Sequence, residues 1–358
     1  MKKINWNPQY EPWGAPSPSD DEVRAFYEQL QEIRDAHLCP EEKKAWLFGI
    51  VHPETREFGL VTYVCKEHPS IHLVRGTRGV ESVLAFESVP DSARSLFETP
   101  VLSVEWDDPE GILDASYQRL RKLGLEFSEE EKVPNIYAVR PGFMPHFPTA
   151  QELRFLSLAL RKLVELSPEL DDLSPESGLP FQCPTLLPPR RKSGEWQLVP
   201  DMTLKLPSRK HIISPELLQK VRALPKGPES RTVYLEWLRA PVEVVDDAPP
   251  SFMYLLLTVE SVFGRGVQIN LLIPKLSLDD VYERVPGAVL RHLQNIGQRP
   301  FVLHTVQEDI FEALRPLEKL LGVRVNLGES PPVLDMALHK AHALLQEQME
   351  AAAKEEED

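Results

Sequence analysis

The sequence predicts two α/β-type domains, of mixed α+β and α/β character, and three observations carry that expectation. At 358 residues the chain is longer than one hydrophobic core comfortably supports. Short apolar runs bounded by turn residues alternate with stretches of helical period along most of its length. A proline-rich run from Ser167 to Lys192 interrupts that alternation, and a featureless loop of that length inside one compact domain is unusual. The expected parts are an α/β domain with a β-hairpin over 19–166, a proline-rich connector with a short helix over 167–230, a second α/β domain over 231–350, and an acidic tail over 351–358.

Residues 1–18 read as an extended, proline-rich lead-in. Ser19 or Asp20 caps a first helix, in which Val23, Phe26, Tyr27, Leu30 and Ile33 recur at helical spacing up to about Arg34. The apolar runs Trp46 to Val51 and Phe58 to Cys65 flank a turn at His52 to Glu57 and so predict a hairpin. A third strand is expected at Ile71 to Val74, with helices near 80–87 and 90–98. Val101 to Trp106 reads as a strand, and Ile112 to Leu123 as a helix closed by Gly124. Asn135 to Val139 is a further strand, followed by a rigid loop from Arg140 to Pro148. Thr149 then caps a helix lined by Leu153, Leu156, Leu160, Leu163 and Val164, and the first domain is expected to close near Leu166.

In the connector, Ser214-Pro215-Glu216 starts a helix running to about Leu224. Strands are expected at Thr232–Leu238, Phe252–Ser261 and Gly266–Ile273, the last two joined by a tight turn at Phe263 to Gly266. A helix from Leu278 to Asn295 must be kinked or divided by Pro286. A strand at Phe301–Thr305, a helix over 307–321, a strand at Val323–Leu327 and a helix from Pro332 to about Ala352 complete the order βββαβαβα.

Composition bounds the function. Hydrophobic residues at 42% and charged residues at 27% exclude wholesale disorder. The 34 prolines far exceed the usual share and imply many rigid joints. A formal charge of −15 repels phosphate backbones and anionic membranes, so nucleic acid and membrane surfaces are disfavoured, while a protein partner stays open. Cys39, Cys65 and Cys183 are too few and too scattered for a disulfide framework and fit a reducing compartment. The N-terminus lacks the apolar core of a signal peptide, and no apolar run is long enough to span a bilayer. The expected location is the cytoplasm.

Three antiparallel strands followed by αβαβα form the element sequence of the ribonuclease H-like fold, which residues 231–350 resemble. The whole chain is also similar to a group of uncharacterised two-domain bacterial proteins. The likeness rests on Phe48 to Gly59, on Arg140-Pro141-Gly142-Phe143 through Phe147 running into Glu152 to Leu156, and on Arg299 to Leu303 with Leu314 to Val323. That resemblance implies no activity. The chain departs from the group at His52, where an aspartate is common, and this puts any role of an acidic side chain there in doubt.

Several residues have the chemistry for a site, and each also has a purely structural account. Ribonuclease H-like nucleases hold two Mg²⁺ or Mn²⁺ ions on carboxylates, and Glu236, Asp309 and Asp335 are the acids available at corresponding places. Equally, they fit a solvated strand face and helix starts, where acids favour the dipole. Cys65, His68 and His72, with His52 across the hairpin, carry zinc-ligand side chains but lack a second nearby cysteine. His339 and His342 share a helix face with Asp335. Nucleophile elbows and phosphate loops are missing. Arg190, Arg191 and Lys192, with Lys205, Arg209 and Lys210, form the main basic concentration, either a contact surface or a solvated linker. Phe143 and Phe147 form either a binding lip or packing.

The expected function is therefore a non-catalytic binding or interaction protein without a cofactor. The alternatives are a metal-dependent nuclease or nucleotide-processing enzyme using Glu236, Asp309 and Asp335 with Mg²⁺ or Mn²⁺, and a docking module that uses the proline-rich linker.

Overall fold

A computed structural model of the chain describes residues 3–36, 45–64, 69–88, 98–125, 132–173, 182–189, 194–205, 209–242, 250–260 and 267–357. The chain forms two compact units, Met1–Ser208 with Val245–Pro249, and Arg209–Val244 with Pro250–Asp358. Both are mixed α/β structures.

The first unit begins with α1 (Asp20–Asp35), closed at its start by a reciprocal capping box. Ser19 Oγ accepts from the Glu22 amide at 3.2 Å, and the Glu22 carboxylate accepts from the Ser19 amide at 2.9 Å. The predicted hairpin forms from β1 (Trp46–Val51) and β2 (Phe58–Val64), in antiparallel register from Trp46↔Tyr63 to Val51↔Phe58. Next come β3 (Ser70–Arg75), α2 (Gly76–Ser88), β4 (Val101–Asp107), α3 (Asp114–Lys122), β5 (Val133–Val139) and α4 (Ala150–Leu173). Most of the helix expected over 90–98 lies outside the described residues.

The expected connector does not exist as one piece. Helix α4 runs past Leu166 to Leu173, through Pro168. A proline inside a helix removes one amide donor, and the Ser167 hydroxyl donates to the Val164 carbonyl that Pro168 leaves unpaired, at 2.9 Å. Leu170 beyond it is fully buried. That burial is worth about 1.5–3 kcal/mol, comparable with the cost of the proline. Strands β6 (Gln182–Leu187) and β7 (Gln197–Thr203) then extend the first sheet to seven strands, ordered β5-β4-β3-β2-β1-β6-β7. Strand β6 joins β1 in parallel. Pro184 is tolerated in this interior strand because it sits at a register break against β7, between Cys183 and Thr185.

Both faces of this sheet are covered. Phe48, Ile50, Val61, Leu73 and Leu102 pack with the apolar stripes of α1 and α4, and Val51, Phe58, Leu60 and Val74 pack on the other side with Ile4 and Trp6. Gly49 makes the β1–β6 approach possible: a Cβ there would lie 2.4 Å from Thr185 Oγ1.

The second unit holds α5 (Pro215–Arg222), β8 (Thr232–Val242), β9 (Ser251–Glu260), β10 (Gln268–Leu272), α6 (Leu278–Ile296), β11 (Val302–Thr305), α7 (Glu308–Leu314), α8 (Pro316–Leu321), β12 (Arg324–Leu327) and α9 (Pro332–Glu357). Its sheet runs β10-β9-β8-β11-β12. The first three strands are antiparallel, and β8, β11 and β12 are mutually parallel. Val233, Leu235 and Trp237 face α6, α7 and α8, while Leu255, Leu257 and Val259 face α9. The turn expected at Phe263 to Gly266 lies outside the described residues.

Three expectations change here. The helix over 307–321 is two helices, because Pro316 has no amide to continue the ladder. Pro286 does not divide α6, where its neighbours Val285, Ala288 and Val289 are all buried. The last helix continues through the acidic tail to Glu357.

Candidate functional site

Four buried charged side chains in the first unit build the strongest candidate site. Arg75 ends β3, Arg140 follows β5, Glu57 directly precedes β2, and Glu152 lies in the first turn of α4. Each is at most 3% exposed. Arg75 grips both acids, with Nε 2.7 Å from Glu57 Oε1 and Nη1 2.6 Å from Glu152 Oε1. Arg140 Nη2 approaches Glu152 Oε1 at 3.6 Å. Two cations and two anions leave the cluster neutral, the condition under which buried charge is tolerated. Burial alone would raise the Glu152 pKa, but Arg75 first, then His146 and Arg140, hold it down to about 2. Burial pulls the pKa of Arg140 below its ordinary value.

One donor of each arginine holds the N-terminal segment, so residues 3–18 form a strap, while Arg140 Nε and Nη2 have no hydrogen-bond partner among the described residues. Arg75 Nη2 donates to the Gln9 carbonyl at 2.8 Å, and Arg140 Nη1 to the Glu11 carbonyl at 2.9 Å. Asn5 exchanges backbone hydrogen bonds with the start of β2, donating to Arg56 O at 2.8 Å and accepting from Phe58 N at 3.0 Å. Aromatic rings close the assembly. The Arg140 guanidinium lies 3.7 Å from the Trp13 ring centre, and Tyr10 stands within 5.0 Å of both guanidinium groups.

Beside this cluster the strap, α3 and the loop before α4 enclose an open cleft of about 700 Å³. Trp13, Gln118, Arg119, Lys122, His146 and Phe147 are among its walls, and among the described residues no carboxylate lines it. Arg119 and Lys122 both pair with Asp20 just outside the lining, at 3.5 and 3.0 Å. The His146 ring meets Trp13 edge-on, and its Nε2 is buried without a hydrogen-bond partner among the described residues. Burial lowers the pKa of His146, so the ring is neutral near pH 7.

The expected site residues fall as follows. Phe147 lines the cleft; Phe143 is buried beneath it, 4.7 Å from the Trp13 ring. Cys65, His68, Arg190, Arg191 and Lys192 lie outside the described residues. His72 bonds Ser103 Oγ at 2.7 Å. His52 Nδ1 accepts from the amides of Glu54 and Thr55, both at 3.2 Å, and burial lowers its pKa. An aspartate in a turn does the same work through its side-chain oxygen.

The three carboxylates expected to hold metal do not meet. Glu236 alternates with Leu235 and Trp237 on β8 and therefore points to the α9 side of the sheet. Its Oε1 accepts from the Trp237 amide at 2.8 Å. Asp309 stands on the opposite side at the start of α7, paired with Arg209 at 2.5 Å beside Tyr282. Asp335 accepts from Ser330 Oγ at 2.6 Å on the exposed face of α9, where His339 and His342 are also exposed. No group of three or more metal-ligating side chains exists among the described residues.

Sequence reasoning missed Glu57, Arg75, Arg140, Glu152 and the strap. The available signal was the run of aromatics Trp6, Tyr10 and Trp13 in a segment that had no core of its own to enter.

Residues 23–178 match a family described as a domain of unknown function, DUF7309. The match begins within α1, after the strap, and runs past the end of α4. No curated protein and no solved structure matches the chain. Among the described residues no helix is long and apolar enough to cross a membrane.

Proposed function

We propose that the protein is a non-catalytic binding protein whose first unit receives a small anionic molecule with a flat apolar part. One observation carries this reading: a cleft of about 700 Å³ is lined by Arg119 and Lys122 and by the rings of Trp13 and Phe147, with no carboxylate among the described residues of its walls, in a chain of net charge −15. The volume falls in the range of small-molecule sites. The cations are held ready by Asp20, an exposed partner that a ligand anion displaces from the two side chains. The rings of Trp13 and Phe147 offer stacking surfaces for a planar group.

The scaffold supports binding. Rigid rings and buried ion pairs fix the strap wall, so little conformational entropy is lost when a ligand enters. For the second unit, the order of three antiparallel strands followed by αβα(α)βα supports a ribonuclease H-like reading. The separation of Glu236, Asp309 and Asp335 favours a binding use of that unit over a two-metal reaction. The cysteine usage supports a cytoplasmic location, and the sequence likeness described above supports a bacterial source.

Thermal unfolding with benzoate, phenyl phosphate and the neutral benzyl alcohol tests the proposal. The two anions are expected to raise the melting temperature of the full chain and benzyl alcohol is not. Arg119→Ala and Lys122→Ala should each reduce that gain. Equal shifts with all three probes, no shift with either anion, or anion shifts unchanged in both variants would overturn it.

A further inference from the structure

We infer that β10, the outer strand of the second unit, joins two copies of this chain by antiparallel pairing centred on Asn270. An edge strand presents unpaired backbone donors and acceptors, and proteins blunt such edges with proline or charge. The other three edge strands of the two sheets carry these devices: β5 has Pro134, β7 has Pro200 and Asp201, and the four-residue β12 has Arg324. Strand β10 has none. From Val267 to Ile273 it reads Val-Gln-Ile-Asn-Leu-Leu-Ile, without a charge, proline or glycine.

Its side chains divide by face. Leu272 enters the core under α6, and Gln268 bonds His292 of that helix at 2.9 Å. On the other face Ile269 stands opposite Leu257 of β9, and Leu271 opposite Leu255. Helix α9 covers those two β9 leucines, but its cover ends before β10. Ile269 is 45% exposed and Leu271 51%, and Val267 and Ile273 continue the same row.

The register of the strand selects a second copy as the occupant. With a two-fold axis through Asn270, Ile269 faces Leu271 of the second copy and Val267 faces Ile273. Each apolar side chain of the exposed row thus meets another apolar one, on the same face of a continuous ten-stranded sheet. Gln268 faces Leu272, and the two Asn270 amides face each other. Two chains of charge −15 repel over most of their surfaces, and this uncharged strip is a place where they approach without that penalty. Pairing also satisfies the outward backbone groups of both edges.

Light scattering of the full chain across the micromolar range tests the inference. The wild type is expected at twice the chain mass. Ile269→Lys and Leu271→Lys each place a cation in the row and should return the protein to a single chain with an unchanged circular dichroism spectrum. A wild type that stays single at every concentration, or a dimer that survives both folded lysine variants, would overturn it. A register test does not depend on how the lysine variants fold. With Cys39 and Cys65 replaced by serine, Asn270→Cys should be linked to its own copy by a short bis-maleimide, whereas Val267→Cys, which faces Ile273, should not. Linking at Val267→Cys in preference to Asn270→Cys would overturn the proposed register.

Discussion

The guanidinium of Arg75 lies 2.6 Å from the carboxylate of Glu152, and both side chains are almost wholly out of water. The contact ties the end of β3 to the start of α4 across 77 residues of chain. It is one arm of a neutral group, so removing either member leaves an uncompensated buried charge.

Glu152→Gln is accordingly expected to cost about 3–5 kcal/mol in urea unfolding near neutral pH. The carboxyl is held at about 2 in the folded protein, below its ordinary 4.5. A depressed acid stabilises the fold at pH values above 4.5, and this contribution is lost as the pH falls towards 2. The wild type should therefore lose stability over that window more steeply than the variant. Parallel pH profiles of the two proteins would remove Glu152 from the account.

Trp13 covers the Arg140 guanidinium at 3.7 Å from its ring centre. Trp13→Ala should cost about 2 kcal/mol, the magnitude of a desolvated cation–π contact. Trp13→Phe keeps a ring and should recover part of it. Equilibrium unfolding of the three proteins decides the matter, and an alanine variant as stable as the wild type counts against a structural role for the strap.

Gly49→Ala places a methyl 2.4 Å from Thr185 Oγ1 and 2.8 Å from Phe58. The expected loss is about 1–3 kcal/mol, from overpacking. Thr185→Ala in the same chain removes the nearest atom, so the double variant should be less damaged than the sum of the singles. Denaturant midpoints of the four proteins give the coupling.

His292 is buried, and that burial, assisted by the charge of Arg231, lowers its pKa to about 4. A histidine kept neutral in the fold binds its proton more readily when unfolded. Its stabilising contribution is complete above 6.5 and fades as the pH falls from there to about 4. His292→Gln cannot titrate, so its melting temperature should fall less than that of the wild type across this window. Equal falls would show that other groups carry the pH dependence.

Local signals made much of the fold legible. The hairpin register Val51↔Phe58 follows from two apolar runs around one turn, and the α1 cap follows from Ser19 with Glu22 three residues on. Strands β6 and β7 were hidden because Pro184 and Pro200 argue against strands. One sits at a register break and the other on an edge, the two places where a strand accepts proline. The charged cluster was illegible for a different reason. Glu57, Arg75, Arg140 and Glu152 are far apart in sequence, and nothing near any of them announces burial. Only the folded sheet brings them to one place. The carboxylate trio failed through side-chain alternation: Glu236 and Asp309 sit on adjoining elements but on opposite sides of the sheet.

The strap's dependence on distant side chains has a consequence for synthesis. Gln9 finds its partners 48 and 66 residues later, and Glu11 finds Arg140 after 129. The strap therefore waits, with Trp6, Tyr10 and Trp13 bare, until α4 has been made. Such long-range closures come late in folding. A nascent chain stalled before Glu152 would carry an unattached, sticky strap, and so be a natural client for a chaperone.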